Sequence, residues 1–173
     1  MIPDSILRWL SAVETCKHPA VDSGLLLAMI WQESEGNPWA WNPEPRYPWL
    51  WNVRTAKPYR APSAAALANM SPPAGWPCLA GDPDNEWWGQ MASWGLLQPM
   101  GAVARERGFT GGYLPELCDP QINIRYASAH LWAYGYLGGS NSMAQALTRY
   151  NGSSIYADEV TQKLAIVQTE LSK

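Results

Sequence analysis

The residue best placed to do chemistry is Glu33, which closes an apolar run at residues 24–31 and is followed by Ser34-Glu35-Gly36-Asn37-Pro38. The run has the length of a helix. Asp22 or Ser23 is suited to cap its start, and Gly36 and Pro38 are stop signals. One carboxyl is therefore expected on the last turn of a buried helix. Apolar surroundings penalise its charged form, and the negative end of the helix dipole adds to that penalty. A carboxylic acid kept neutral near working pH can protonate a leaving group.

Other chemistries find little support. Cys16, Cys78 and Cys118 are too widely spaced for a metal or redox motif, and their odd number leaves at least one thiol unpaired. His18 and His130 are the only histidines, and no nucleophile elbow accompanies either. The expectation is no metal and no cofactor. A second carboxyl would widen the options. Glu35 is turned about 200° around the helix from Glu33 and should not share its site. Glu44, Asp82, Asp84 and Glu86 are the candidates to fold over the site, although each reads better as a solvated loop charge, and Asp119 before Pro120 reads as an N-cap.

The elements that must position Glu33 belong to a chain of 173 residues, a length suited to one domain. Hydrophobic residues make up 47% and charged residues 16%, so the chain is globular. A net charge of -3 and a pI near 5.3 argue against nucleic-acid binding. No apolar run is long enough to insert in a membrane, and Met1-Ile2-Pro3-Asp4 does not begin like a secretion signal. Helical patterning is expected at 4–15, 22–34, 98–107, 119–137, 142–150 and 154–171. The segment 122–137 is apolar nearly all round and is expected to be the central helix. The last helix should bury a stripe through Ile155, Val160, Leu164, Val167 and Leu171. Strand signals are nearly absent, which gives an all-α domain.

The middle of the chain differs. Of 11 tryptophans, eight fall between Trp39 and Trp94, and ten of the 15 prolines lie between Pro38 and Pro83. An alanine-rich piece at 63–70 is the one helical pattern there. A connection this long is usually functional or packed by its own side chains. Most of these indoles should form a satellite core, with Trp39, Trp49 or Trp94 as candidates to reach a ligand instead.

Four blocks in order resemble a known family. They are Glu33-Ser34-x-x-Asn37-Pro38-x-Ala40, Ser93-Trp94-Gly95-Leu96-Leu97-Gln98-Pro99-Met100, Leu117-Cys118-Asp119-Pro120-x-x-Asn123-Ile124 and Ala146-Leu147-Thr148-Arg149-Tyr150-Asn151-Gly152. Together they are similar to soluble lytic transglycosylases and goose-type lysozymes, over residues 22–42 and 93–160. The stretch at about 43–90 is an insertion, and its Arg46-Tyr47-x-Trp49-Leu50-Trp51 looks like that of phage-encoded members. The resemblance implies a single lysozyme-like helical domain spanning 1–173. It also implies peptidoglycan glycan strands as substrate, cleaved between N-acetylmuramic acid and N-acetylglucosamine. By matching position Glu33 is the catalytic acid, and Ser34, Asn42, Gln98, Met100, Tyr150 and Asn151 are expected to bind substrate.

A transglycosylase needs only one carboxyl, acting as acid and then base to form a 1,6-anhydromuramic end. A hydrolysing muramidase usually needs a second carboxylate. A non-catalytic peptidoglycan-binding or virion module of the same fold is the third reading. The acidic charge favours attachment to a virion, and the start of the chain fits a phage product delivered to the cell wall by a holin or a tail.

Overall fold

The computed structural model describes residues 1–60, 71–136 and 140–173. The alanine-rich stretch 63–70 lies outside them. The architecture is predominantly helical, as expected, with two short β-ribbons that the sequence did not announce.

The first expected helix is two helices, α1 (Asp4–Leu7) and α2 (Leu10–Cys16). At the break between them, Arg8 Nη2 and Trp9 Nε1 both donate to the carbonyl of Gly36, each at 3.0 Å. They pin the end of α3 (Ser23–Ser34). Asp22, not Ser23, caps α3 by accepting the Leu25 N–H at 2.8 Å. Every residue from Gly24 to Ile30 is buried, so α3 is the helix at the centre of the core.

The last helix, α8 (Ser154–Leu171), packs along α3 and buries Tyr156, Ala157, Val160, Leu164 and Val167. Ile155, at 68% exposure, and Leu171, at 40%, fall off the expected stripe. Helix α6 (Pro120–Ala133) starts where expected, with Asp119 accepting the Gln121 and Ile122 amides. It is not buried all round: Ile124, Ala127 and Leu131 face the core, but Arg125 and Trp132 face solvent. It also stops four residues before 137, where Gly135 takes a φ of 95°. Helix α7 (Ser140–Asn151) then leads back towards the end of α3.

The insertion is more ordered than its composition suggests. Strand β1 (Trp41–Pro43) pairs antiparallel with β4 (Ala92–Trp94), placing Asn42 opposite Ser93 and Trp41 opposite Trp94. Strand β2 (Trp49–Asn52) pairs antiparallel with β3 (Lys57–Arg60). Between the ribbons comes α4 (Pro83–Gln90), capped by Asp82, which accepts the Asp84 N–H at 2.7 Å. Leu50, Trp76, Trp87, Met91 and Ala102 form a satellite core. The Trp76 and Trp87 rings meet edge to face at 4.8 Å, a favoured aromatic geometry.

A buried polar chain fastens this unit to α5 (Gly101–Glu106). Arg105 donates from Nε and Nη2 to the two oxygens of Glu86 at 2.9 and 2.8 Å. Glu86 also accepts from Gln90 Nε2 at 2.8 Å, and Gln90 pairs with the backbone N–H and C=O of Trp51. Glu86 is thus no solvated loop charge. It is 3% exposed and belongs to a fully paired ionic site.

Candidate active site

Glu33 reaches its position because α3 cannot continue. Glu35 adopts the left-handed conformation as C-cap, at φ 52°, and Gly36 follows at φ 82°. A Cβ on Gly36 would lie 2.2 Å from the Ser5 carbonyl oxygen, so only glycine fits against α1. Glu35 is exposed and does not join the site. Glu33 is left on the last turn, partly buried, with its carboxyl at one wall of a cleft of about 380 Å³.

The cleft is lined by Glu33, Asn42, Glu44, Tyr47, Ser93, Gln98, Met100, Tyr150 and Asn151. Of the expected site residues, only Ser34 is missing from it. The Ser34 hydroxyl instead donates to the Leu96 carbonyl at 2.8 Å, tying α3 to the loop that carries Gln98. Gln98 lines the cleft, but its amide is already engaged. Nε2 donates to the carbonyls of Ala40 and Gly95 at 3.1 and 2.7 Å, and Oε1 accepts from Ser93 at 2.9 Å.

That loop is tightly built. Gln98 is held at φ 49°, a conformation side-chain-bearing residues rarely adopt. Gly95, at φ 70°, has the Asn123 amide nitrogen 2.5 Å from where a Cβ would sit. Asn123 is fully buried. It accepts the Leu97 N–H at 2.8 Å and donates to the Trp94 and Leu117 carbonyls at 2.7 and 2.9 Å. One buried amide thus fixes both ends of the Gly95–Leu97 turn.

The electrostatics single out Glu33. Burial is the main cause that raises its pKa from 4.5 to about 7. The nearby charge of Glu44 raises it too, while the Tyr156 hydroxyl opposes the shift by donating towards the carboxyl. That contact is long or poorly aligned, since the buried Tyr156 hydroxyl has no partner at full hydrogen-bond geometry among the described residues. Tyr150 donates its hydroxyl to the Leu97 carbonyl at 2.8 Å. Burial, and then the proximity of Glu33, hold both phenols well above their ordinary range. Both remain protonated, so neither can serve as a base near neutrality.

Tyr156 and Tyr47 escaped sequence reasoning, and Glu44 was a candidate ranked below its reading as a solvated charge. Tyr156 looks like one more apolar position of α8. Tyr47 sits in a Pro-flanked loop with no periodicity to place it. Glu44 was expected to be a solvated loop charge. It is exposed, yet its N–H donates to the Met91 carbonyl at 2.7 Å, and this holds it beside the acid.

A more apolar cavity of about 440 Å³ lies on the opposite face of the β1–β4 ribbon, against Trp41, Trp88, Trp94 and Tyr113. Its one carboxyl, Glu86, is committed to Arg105, so it has no free acid. His130 is pushed down to about 3, first by burial and then by Arg107, and stays neutral. Among the described residues no group of three His, Cys, Asp or Glu side chains is gathered to hold a metal, and no helix is long and apolar enough to cross a membrane.

With this geometry in view, comparison with known proteins gives a match to a family model. The family described as Transglycosylase SLT domain covers residues 12–163. No curated protein and no solved structure matches the chain.

Proposed function

Because the chain belongs to the transglycosylase SLT domain family, we propose that it cleaves the β-1,4 bond between N-acetylmuramic acid and N-acetylglucosamine, with Glu33 as acid and then base. The observation that carries this reading is the Glu33 carboxyl, partly buried and with its pKa near 7, at the wall of a polar cleft. A group poised near neutrality can both give and take a proton. Residues 1–173 act in this reading as one catalytic unit to which the insertion contributes Glu44 and Tyr47.

In the first step protonated Glu33 donates to the glycosidic oxygen as the bond to the muramyl anomeric carbon breaks. The substrate's N-acetyl oxygen stabilises the positive carbon. In the second step the Glu33 carboxylate removes the proton from the muramyl 6-hydroxyl, whose oxygen bonds to the same carbon. The anhydro ring closes and Glu33 ends protonated, ready for another strand. Tyr150 and Tyr156, both locked as phenols, stand beside the carboxyl, and the Tyr156 hydroxyl donates towards its charged form. Asn42, Met100 and Asn151 face the sugars from the cleft walls. Gln98, with its amide already paired, acts by shaping the loop.

Glu44 supports a second reading. A carboxylate in the same cleft could position water and make the enzyme a hydrolysing muramidase. Mass analysis of digested peptidoglycan separates the two. Anhydromuropeptides support the transglycosylase, and reducing muramic ends would overturn it. Glu33→Gln tests the catalytic assignment: a variant that clears wall suspensions as well as the parent shows that Glu33 is not the acid, and a parent that clears none leaves only a binding or structural module. We further infer a phage-encoded chain carried on the virion, from the net charge of -3 that slows free approach to an anionic wall. Purified virions lacking the chain would refute that setting.

A further inference from the structure

The insertion and α5 together enclose an aromatic chamber that shares the Tyr47 wall with the catalytic cleft. About 540 Å³ in volume, it is lined among others by Tyr47, Trp49, Trp51, Tyr59, Glu106 and Tyr134. We propose that this chamber is an additional glycan subsite, which receives sugars of the same strand beyond those held at Glu33 and gives the enzyme a preference for long strands. The inference rests on the glycan-cleaving reading of the cleft.

Continuity is the first support. Tyr47 lines both the cleft and the chamber. Met100 lines the cleft and precedes α5, whose Ala102, Val103 and Glu106 line the chamber. Met100 and Ala102 are two residues apart, so the wall of the chamber begins where the wall of the cleft ends. Tyr134 of the chamber is near enough to affect both Tyr47 and Tyr150 electrostatically.

The chemistry of the lining is the second. Flat aromatic faces complement the apolar faces of pyranose rings, and Trp49, which lines the chamber, is 55% exposed as a residue. The Glu106 carboxyl, also exposed, can accept from sugar hydroxyls. Volumes of this size suit small-molecule recognition. Rigidity is the third support. The β2 strand that carries Trp49 and Trp51 is held by the Gln90–Trp51 backbone pair, itself backed by Glu86 and Arg105. A wall fixed before binding loses little entropy when a sugar arrives.

The test is the ratio of kcat/KM on long peptide-free glycan strands to that on tetrasaccharides, measured for the parent, Trp49→Ala and Trp49→Phe. Trp49→Ala should lower the ratio about tenfold, equivalent to about 1.4 kcal/mol, and Trp49→Phe should restore most of it by keeping a flat ring. An unchanged ratio, or equal loss on both substrates, overturns the proposal. Calorimetric binding of N-acetylglucosamine oligomers to Glu33→Gln proteins separates the two levels of inference. Affinity that grows with oligomer length, and does so less when Trp49→Ala is added, supports the chamber even if the parent makes no anhydro product. Affinity independent of length overturns it even if cleavage is normal.

Discussion

Replacing Glu33 by glutamine should make the protein more stable above neutral pH while abolishing cleavage. The sign follows from linkage. The folded carboxyl has its pKa raised from 4.5 to about 7, so between those values the native state holds more proton than the unfolded chain. The resulting stability is fully present below about pH 4.5 and is lost as pH rises through about 7. The whole shift corresponds to about 3 kcal/mol at 1.36 kcal/mol per unit, of which roughly 2.5 kcal/mol disappears between pH 5 and pH 8. Glutamine has nearly the same shape and no proton to lose, and every other titrating group is common to both proteins. Urea unfolding of parent and Glu33→Gln at pH 5 and pH 8 isolates the term. The stability difference between them should move in favour of the variant by about 2.5 kcal/mol, near 1 M in midpoint for a protein of this size. A difference that moves by less than about 0.5 kcal/mol would show that Glu33 is solvated and ordinary. The proposal of a neutral acid would then fall.

Three further outcomes follow from the same geometry. Glu44→Gln removes a negative neighbour that raises the acid, so the alkaline limb of the kcat/KM profile should move to lower pH; a limb that stays in place or moves up contradicts the contact. Tyr150→Phe loses the bond to the Leu97 carbonyl and should cost about 1 kcal/mol in chemical unfolding. It should also lower kcat by up to about a hundredfold with KM little changed, and full activity in steady-state kinetics would free Tyr150 of any role. Glu86→Ala strands a buried Arg105 cation and should destabilise by about 3–5 kcal/mol; loss below about 1 kcal/mol would mean that solvent reaches the pair.

How much of this could be read from the chain depended on how local each signal is. Helix α3 and its acid were legible because the apolar run, the Asp22 cap and the Gly36 stop all lie within fifteen residues of one another. Gln98, Met100, Tyr150 and Asn151 were found from matching blocks, and Asn42 from its place just after one although the family often has serine there; all five line one cleft. Ser34 was adjacent to the acid in sequence, but a helical step of about 100° points its hydroxyl at Leu96 instead. The ribbons were invisible because strands of three and four residues, with prolines at Pro43 and Pro58, are too short to show alternation. The α4 helix did carry a signal, Asp82-Pro83, though eight residues gave it little periodicity. The burial of Glu86 had no local signature, since its partner Arg105 lies nineteen positions away.

The ionic anchor of the insertion has a consequence for how such a segment could be exchanged between proteins. Arg105 also donates to the carbonyls of Phe109 and Gly111 at 2.9 and 2.8 Å, and it lies over the Phe109 ring. It is wired into the helical body as firmly as into the insertion. A chimera that swaps residues 43–90 for a short connection would therefore inherit a cation with its carboxylate deleted. Excision and an apolar replacement of Arg105 must be made together, and a donor insertion can be grafted in only if it brings an acid to the Glu86 position. One buried arginine thus acts as the compatibility key that decides which insertions this scaffold accepts.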